Sequence, residues 1–229
     1  MKKMLTKTIT FFMAAVLYIC SITPVKISAV KSDSEKWADA YMKIVNKMNK
    51  EDNAREKDPY VGNESYNYGL IYFDNDSIPE LVVGLNGYWV SMYTYDKNTE
   101  KVYAVLDQWA YGAGGNTGYT YLPKKNCLFN LNNDMAGAIQ YCYYGKMKNH
   151  KIVSRYSKEL VVYNFNDKNK NGMIDDGEYN GKSYYYYGKK KISKKKFDSY
   201  GLHGKYKPIS GSLSYKQIKK KLVSKGAGQ

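Results

Sequence analysis

The sequence predicts an α+β fold: an antiparallel β-meander of about eight to ten strands with a helix at each end. Three observations carry this. Apolar residues recur at helical spacing near both ends of the chain. Between them lie short runs rich in Tyr, Val and Ile, separated by tight polar turns. Those connections are too short for the crossovers a parallel sheet requires. A propeller-like or barrel β fold is the alternative, and the absence of a fixed-period repeat speaks against the propeller.

The first helix is read over residues 33–50. Ser32-Asp-Ser-Glu35 is a capping box, and Trp37, Tyr41, Ile44, Val45 and Met48 follow on one face. The meander is read over 67–187. Its runs are Tyr68–Phe73, Ile78–Leu85, Tyr88–Tyr95, Glu100–Leu106, Tyr119–Leu122, Asn126–Leu131, Ala138–Tyr144, Lys151–Phe165 and Lys182–Tyr187. Asn86-Gly87 suits a two-residue hairpin turn. A basic segment, 188–229, closes the chain. Within it Ser214-Tyr-Lys-Gln217 is a second capping box, with Tyr215, Ile218 and Leu222 on one helical face.

Ahead of this single domain, 30–229, stands a secretory signal at 1–29. Lys2, Lys3 and Lys7 precede an uncharged, largely apolar run from Ile9 to Val25, and small residues follow at Ser28 and Ala29. Cleavage there removes four lysines and lowers the net charge from +15 to +11. The expected location is therefore extracellular, with cell-wall association open. Cys127 and Cys142 remain after cleavage. They lie evenly about the turn 132–137, so a regular hairpin would set them opposite each other. A disulfide and two free, half-buried thiols are both open readings.

The chemistry-bearing motif is Asp167-Lys-Asn-Lys-Asn-Gly-Met-Ile-Asp-Asp-Gly-Glu178. Side-chain oxygens fall at Asp167, Asn169, Asn171 and Asp175. Gly172 stands at the sharp bend, Ile174 at the inward apolar slot and Glu178 at the twelfth position. Calcium takes six to eight oxygens, and alternate side chains of a tight loop converge on it. Met173 would add its carbonyl. The segment resembles the EF-hand-type calcium loop. The resemblance implies calcium held by Asp167, Asn169, Asn171, Met173, Asp175 and Glu178. The flanks read as strands, so the helix pairing of EF-hands does not carry over. A static clip on a hairpin is expected instead, of the weak affinity typical of extracellular modules.

A second acidic segment, Tyr72-Phe-Asp-Asn-Asp-Ser-Ile-Pro-Glu-Leu81, resembles one found in a broad, largely uncharacterised class of secreted proteins from Gram-positive bacteria. The likeness spans Tyr68–Val105 and the helices at each end. Integrin-type propeller repeats have a similar calcium segment. Here Tyr72 occupies the first acidic slot and Ser77 replaces a glycine, while Asp74, Asp76 and Glu80 remain. The lost ligand favours an ordinary acidic turn at which Pro79 starts a strand.

Other features are less specific. Trp109, Tyr111, Tyr119 and Tyr121 flank a glycine-rich loop and suit either an aromatic platform or a sheet face. That loop lacks the Lys-Ser/Thr of a phosphate loop. The only histidines are His150 and His203, and no Gly-x-Ser-x-Gly or His-Glu-x-x-His occurs. Cys142 with His150, or Asp74 with Glu80, are the available catalytic pairings. From Lys182 to Lys225 there are 14 lysines and one acid, Asp198. That imbalance attracts anionic polymers, and no nucleic-acid-binding motif accompanies it. The expected function is a secreted, calcium-stabilised, non-catalytic module contacting an anionic cell-surface polymer or glycan. The alternative is a secreted hydrolase of wall or glycan material.

Overall fold

A computed structural model describes residues 33–55, 64–111, 118–135, 138–170, 172 and 177–226. The signal segment and the Ser32 cap lie outside these residues. Every element below belongs to one compact unit, Ser32–Gln229. Helix α1 spans Asp33–Ala54, one turn beyond the predicted end. Its Trp37, Tyr41, Val45 and Met48 are buried, which realises the apolar stripe.

Strands β1 (Asn67–Ile71), β2 (Glu80–Leu85), β3 (Trp89–Asp96) and β4 (Lys101–Ala110) form an antiparallel sheet in chain order. Strands β5 (Tyr119–Leu122), β6 (Cys127–Asp134), β7 (Ile139–Lys148), β8 (Lys151–Phe165), β9 (Tyr179–Tyr187) and β10 (Lys190–Ile192) form a second one. The short β11 (Lys207–Pro208) returns to its edge beside β5, giving seven strands. Helix α2 (Lys194–Asp198) follows β10, and helix α3 (Tyr215–Gly226) ends the fold. The architecture is thus an α+β antiparallel meander, divided into two sheets rather than continuous in one.

The division follows from burial. All six residues of β2 are buried, and Leu81, Val82 and Val83 are apolar in succession rather than alternating with polar residues. Leu81 and Val83 face the helices and pack with Tyr41, Ile218 and Leu222. Val82 points the other way, and with Val90, Met92 and Leu106 meets Tyr121, Leu128 and Ile209. The first sheet is therefore a middle layer between a helix pair and the second sheet. A third cluster lies on the far side of the second sheet, where Leu122 and Cys127 meet Phe197 and Leu202, walled by half-buried Tyr144, Tyr156, Tyr185 and Tyr206. Tyr suits that position because its ring is buried and its hydroxyl stays polar.

Local signals are realised as hydrogen bonds. Ser214 N–H donates to Gln217 Oε1 at 2.8 Å, and Gln217 N–H to Ser214 Oγ at 3.4 Å, the reciprocal pair of a capping box. Gly211 lies so close to β1 that a Cβ would stand 2.4 Å from the Tyr68 nitrogen, so no other residue fits there. At the β2–β3 turn, Leu85 pairs with Trp89, so Asn86, Gly87 and Tyr88 form a three-residue loop, one longer than predicted.

The cysteines do not face each other. β6 and β7 pair Leu131 with Cys142 and Leu128 with Gly145, which sets Cys127 one step further, beside Lys146. That is four residues from Cys142, about 13 Å along the strand and beyond bridging range. The hairpin turns at Met135–Ala138, two residues later than a turn centred between the cysteines. Both thiols are free and buried. A reducing agent should therefore leave the melting temperature unchanged, and thiol titration of the unfolded mature chain should count both. Loss of about 2–5 kcal/mol on reduction would contradict this register.

Candidate metal centres

β8 and β9 form a long hairpin whose last pair is Phe165 with Tyr179. One further bond, Asn166 N–H to the Glu178 carbonyl at 2.8 Å, closes the base of the Asp167–Glu178 loop. Strands flank this loop, as the sequence predicts. Asp167 Oδ2 accepts from Gly172 N–H at 2.8 Å, folding the first half of the loop back on itself. Gly172 has φ +75°, the left-handed region that glycine adopts without strain.

Glu178 is only 9% exposed. Its Oε1 accepts the backbone N–H groups of Lys168 at 3.0 Å and Asn169 at 3.3 Å. Its Oε2 is buried and has no hydrogen-bond partner among the described residues. An unsatisfied buried acceptor costs about 1–3 kcal/mol, and more if charged. The neighbouring cation does not relieve it: Lys168 Nζ donates to the Gly177 carbonyl at 2.9 Å. An open cavity of about 290 Å³ adjoins the carboxylate, lined by Asn164, Asn166, Lys168 and Asn180 among others.

Of the six predicted ligands, Glu178 lies buried at the loop base, Asp167 bonds to Gly172 N–H, and Asn169 meets Glu178 through its backbone N–H. Asn171, Met173 and Asp175 lie outside the described residues. The donor set is all oxygen, which suits a hard cation. The stranded Glu178 oxygen is the specific mark of fit.

The second acidic segment also converges, although the sequence favours an ordinary turn there. One carboxylate oxygen from each of Asp74, Asp76 and Glu80 lies within 4.8 Å of the others. Two hydrogen bonds build the turn: Asp76 N–H to Asp74 Oδ1 at 3.1 Å and Ile78 N–H to Asp76 Oδ1 at 2.8 Å. Glu80 enters from the start of β2 and is 1% exposed. Its oxygens are engaged, Oε2 by Phe73 N–H at 2.8 Å and Oε1 by Thr94 Oγ1 at 3.4 Å. Burial, reinforced by the Asp74 and Asp76 charges, pushes its pKa up to about 8. Burial thus favours the protonated form of this inward-turned carboxyl. The adjoining cleft, about 200 Å³, also touches Asp96 and His150.

That cleft is below the usual size of a small-molecule site, and Glu80 is sealed from it by its own partners. The histidine is committed too: His150 stacks on Tyr103 at 4.0 Å and pairs with Asp96 at 3.3 Å. Cys142 is buried in β7, and burial raises its pKa, which suppresses the reactive thiolate. The remaining histidine, His203, is exposed beside Asp198 at 3.2 Å. None of the catalytic pairings available in the sequence forms a working dyad among the described residues.

The predicted aromatic platform is partly assembled. Tyr119 meets Trp109 edge-on at 5.5 Å and Tyr111 at 5.9 Å, but Tyr121 is drawn into the core against Phe73. The lysines are spread over several elements: Lys190 and Lys191 lie on β10, Lys194, Lys195 and Lys196 on α2, and Lys219, Lys220 and Lys221 on α3. No helix among the described residues is long and apolar enough to cross a membrane.

No known family model matches the chain, and no curated protein matches it. Among solved structures, a Xanthomonas type IV secretion system related protein matches with a TM-score of 0.37 at 16% identity. The match covers 61% of this chain and 64% of that one, so this chain spans under two thirds of its length. A likeness of that degree carries no functional argument.

Proposed function

We propose that this chain is an exported, non-catalytic module, stabilised by calcium between Asp167 and Glu178, that holds to an anionic cell-surface polymer. The observation that carries the calcium part is the buried Oε2 of Glu178, without a partner among the described residues. A divalent ion there would satisfy that oxygen, with Asp167 and Asn169 beside it and Asn171, Met173 and Asp175 completing the set that the loop pattern implies. The ion would do no chemistry. It would tie the turn of the β8–β9 hairpin and keep its strands in register.

The export part is supported by the basic, apolar, small-residue order of residues 1–29. The polymer part is supported by the lysine excess, 14 against one acid over 182–225. The absence of a working dyad among the described residues favours a binding role over the hydrolase alternative.

Binding to poly(glycerol phosphate) tests the polymer reading. The mature chain should bind it, and raising salt from about 0.05 M to about 0.5 M should weaken binding steeply, because exposed charges are screened within a few ångströms at high salt. Replacing Lys219, Lys220 and Lys221 by Gln should weaken it further at low salt. A chain that ignores this polymer at low salt would end the polymer reading and leave the calcium reading standing.

A further inference from the structure

The two faces of the seven-stranded sheet differ in chemistry. One is covered by α2 and carries Cys127, Tyr144 and Tyr185 against Phe197. The opposite face meets the first sheet through Tyr121, Leu128, Met147 and Ile152; further along that face, on β7, β8 and β9, the register sets Tyr141, Glu159 and Tyr184 in one row. The next row is Tyr143, Ser157 and Tyr186, with Lys191 beyond on β10. Four tyrosines thus stand at the corners of a rectangle of about 7 by 10 Å, with a strand bearing Ser157 and Glu159 between them. Tyr143 is 42% exposed, and the neighbouring Tyr163 is 59% exposed.

We propose that this face is a docking site for a glycan chain bearing carboxylate groups. The site would be where the polymer-binding module makes its sugar contacts, and it rests on that reading. Tyr143 is exposed and Tyr141, Tyr184 and Tyr186 are half-buried, an aromatic patch of the kind that marks an interaction site. Its composition selects the occupant. Tyr141 and Tyr143 offer flat rings for the C–H face of a sugar and hydroxyls for its polar edge, while the Tyr184 ring carries two lysines and the Tyr184 and Tyr186 hydroxyls bond to Tyr163 Oη and Glu159. The middle strand adds Ser157 and Glu159, which bond to hydroxyl groups rather than to an apolar protein surface. Charge complementarity selects the acidic kind. The exposed ammonium groups of Lys191 and Lys182 lie 4.2 Å and 5.5 Å from the Tyr184 ring, held at the edge of the face by cation–π attraction. Glu159 is the acid among them, and it accepts from Tyr186 Oη at 3.5 Å. Two cations against one acid leave the face positive, ready for carboxylates along a chain.

Calorimetric titration of the mature chain tests this, using oligogalacturonate as the acidic glycan, a β-glucan oligosaccharide of equal length as the neutral one, and polyphosphate as charge without sugar. Oligogalacturonate should bind. Tyr143→Ala should weaken it about tenfold with an unchanged melting temperature, and Tyr143→Phe should restore it. Polyphosphate binding should be indifferent to both variants. Equal oligogalacturonate binding by Tyr143→Ala and the parent chain would overturn the tyrosine site while leaving the polymer reading intact. Equal binding of β-glucan would overturn the choice of an acidic occupant. Binding of neither anionic probe would remove the polymer reading along with the site.

Discussion

Glu178→Gln should abolish calcium stabilisation without weakening the calcium-free fold. The parent chain, with an affinity in the 10⁻⁴–10⁻³ M range of extracellular modules, should gain about 1.4–2.7 kcal/mol at about 10 mM calcium. For a domain of this size that is a rise of roughly 3–10 °C in melting temperature. The variant should show no rise, because a neutral amide cannot supply the two-oxygen anionic contact. In chelator its melting temperature should equal or exceed the parent's. The reason is the buried Oε2 of Glu178, which has no partner among the described residues and so contributes a cost of about 1–3 kcal/mol without an ion. A structural role for Glu178 unrelated to metal makes the opposite forecast: the variant would be less stable in chelator, through weakened bonds from Lys168 and Asn169. Differential scanning calorimetry with and without calcium separates the two.

Glu80→Gln should be the most stabilising single substitution at pH 8. The folded carboxyl titrates near 8, above its ordinary 4.5. A carboxyl with a raised folded pKa holds its proton more tightly than the unfolded chain does. Its stabilising contribution is present below the unfolded pKa and is lost as pH climbs towards 8. Stability should therefore fall between pH 4.5 and 8, at about 1.4 kcal/mol per pH unit from this group. The neutral amide abolishes that dependence, keeps an acceptor for Phe73 N–H and adds a donor for Thr94. The variant should melt about 5–15 °C higher at pH 8 and within a few degrees of the parent at pH 5. Denaturant titrations across that range measure the slope. A parent whose stability is flat in pH, or a variant weakened at pH 8, would show that Glu80 is ionised in the fold.

Much of the secondary structure was legible because it depends on local chemistry. The Ser214–Gln217 capping box and the α1 stripe became real elements, and the strand runs fell within a few residues of β1 to β9. What escaped depends on distant partners. The division into two sheets is set by which layer covers each face of β2, and only the continuous run Leu81-Val-Val hinted at it. Helix α2 lay hidden in a lysine run, since Phe197 is its one apolar residue and its burial comes from the sheet beneath. The cysteine register failed because β6 extends to Asp134 and moves the turn. Glu80 was judged by the missing ligand at Tyr72, whereas its fate is decided by the burial of β2. Alternation along Tyr184–Tyr187 was visible, yet which pair faces outward depends on where α2 settles. The Asp167–Glu178 loop was legible as a spacing of oxygens between two strands, and the burial of Glu178 could be seen only once folded.

The central claim is that a divalent ion belongs between Asp167 and Glu178. A crystal structure of the mature chain grown with calcium tests it most directly. The account predicts an ion about 2.3–2.6 Å from Glu178 Oε2, with Asp167 and Asn169 oxygens in the same shell. A calcium-soaked loop that still holds Glu178 Oε2 buried beside no ion would contradict it.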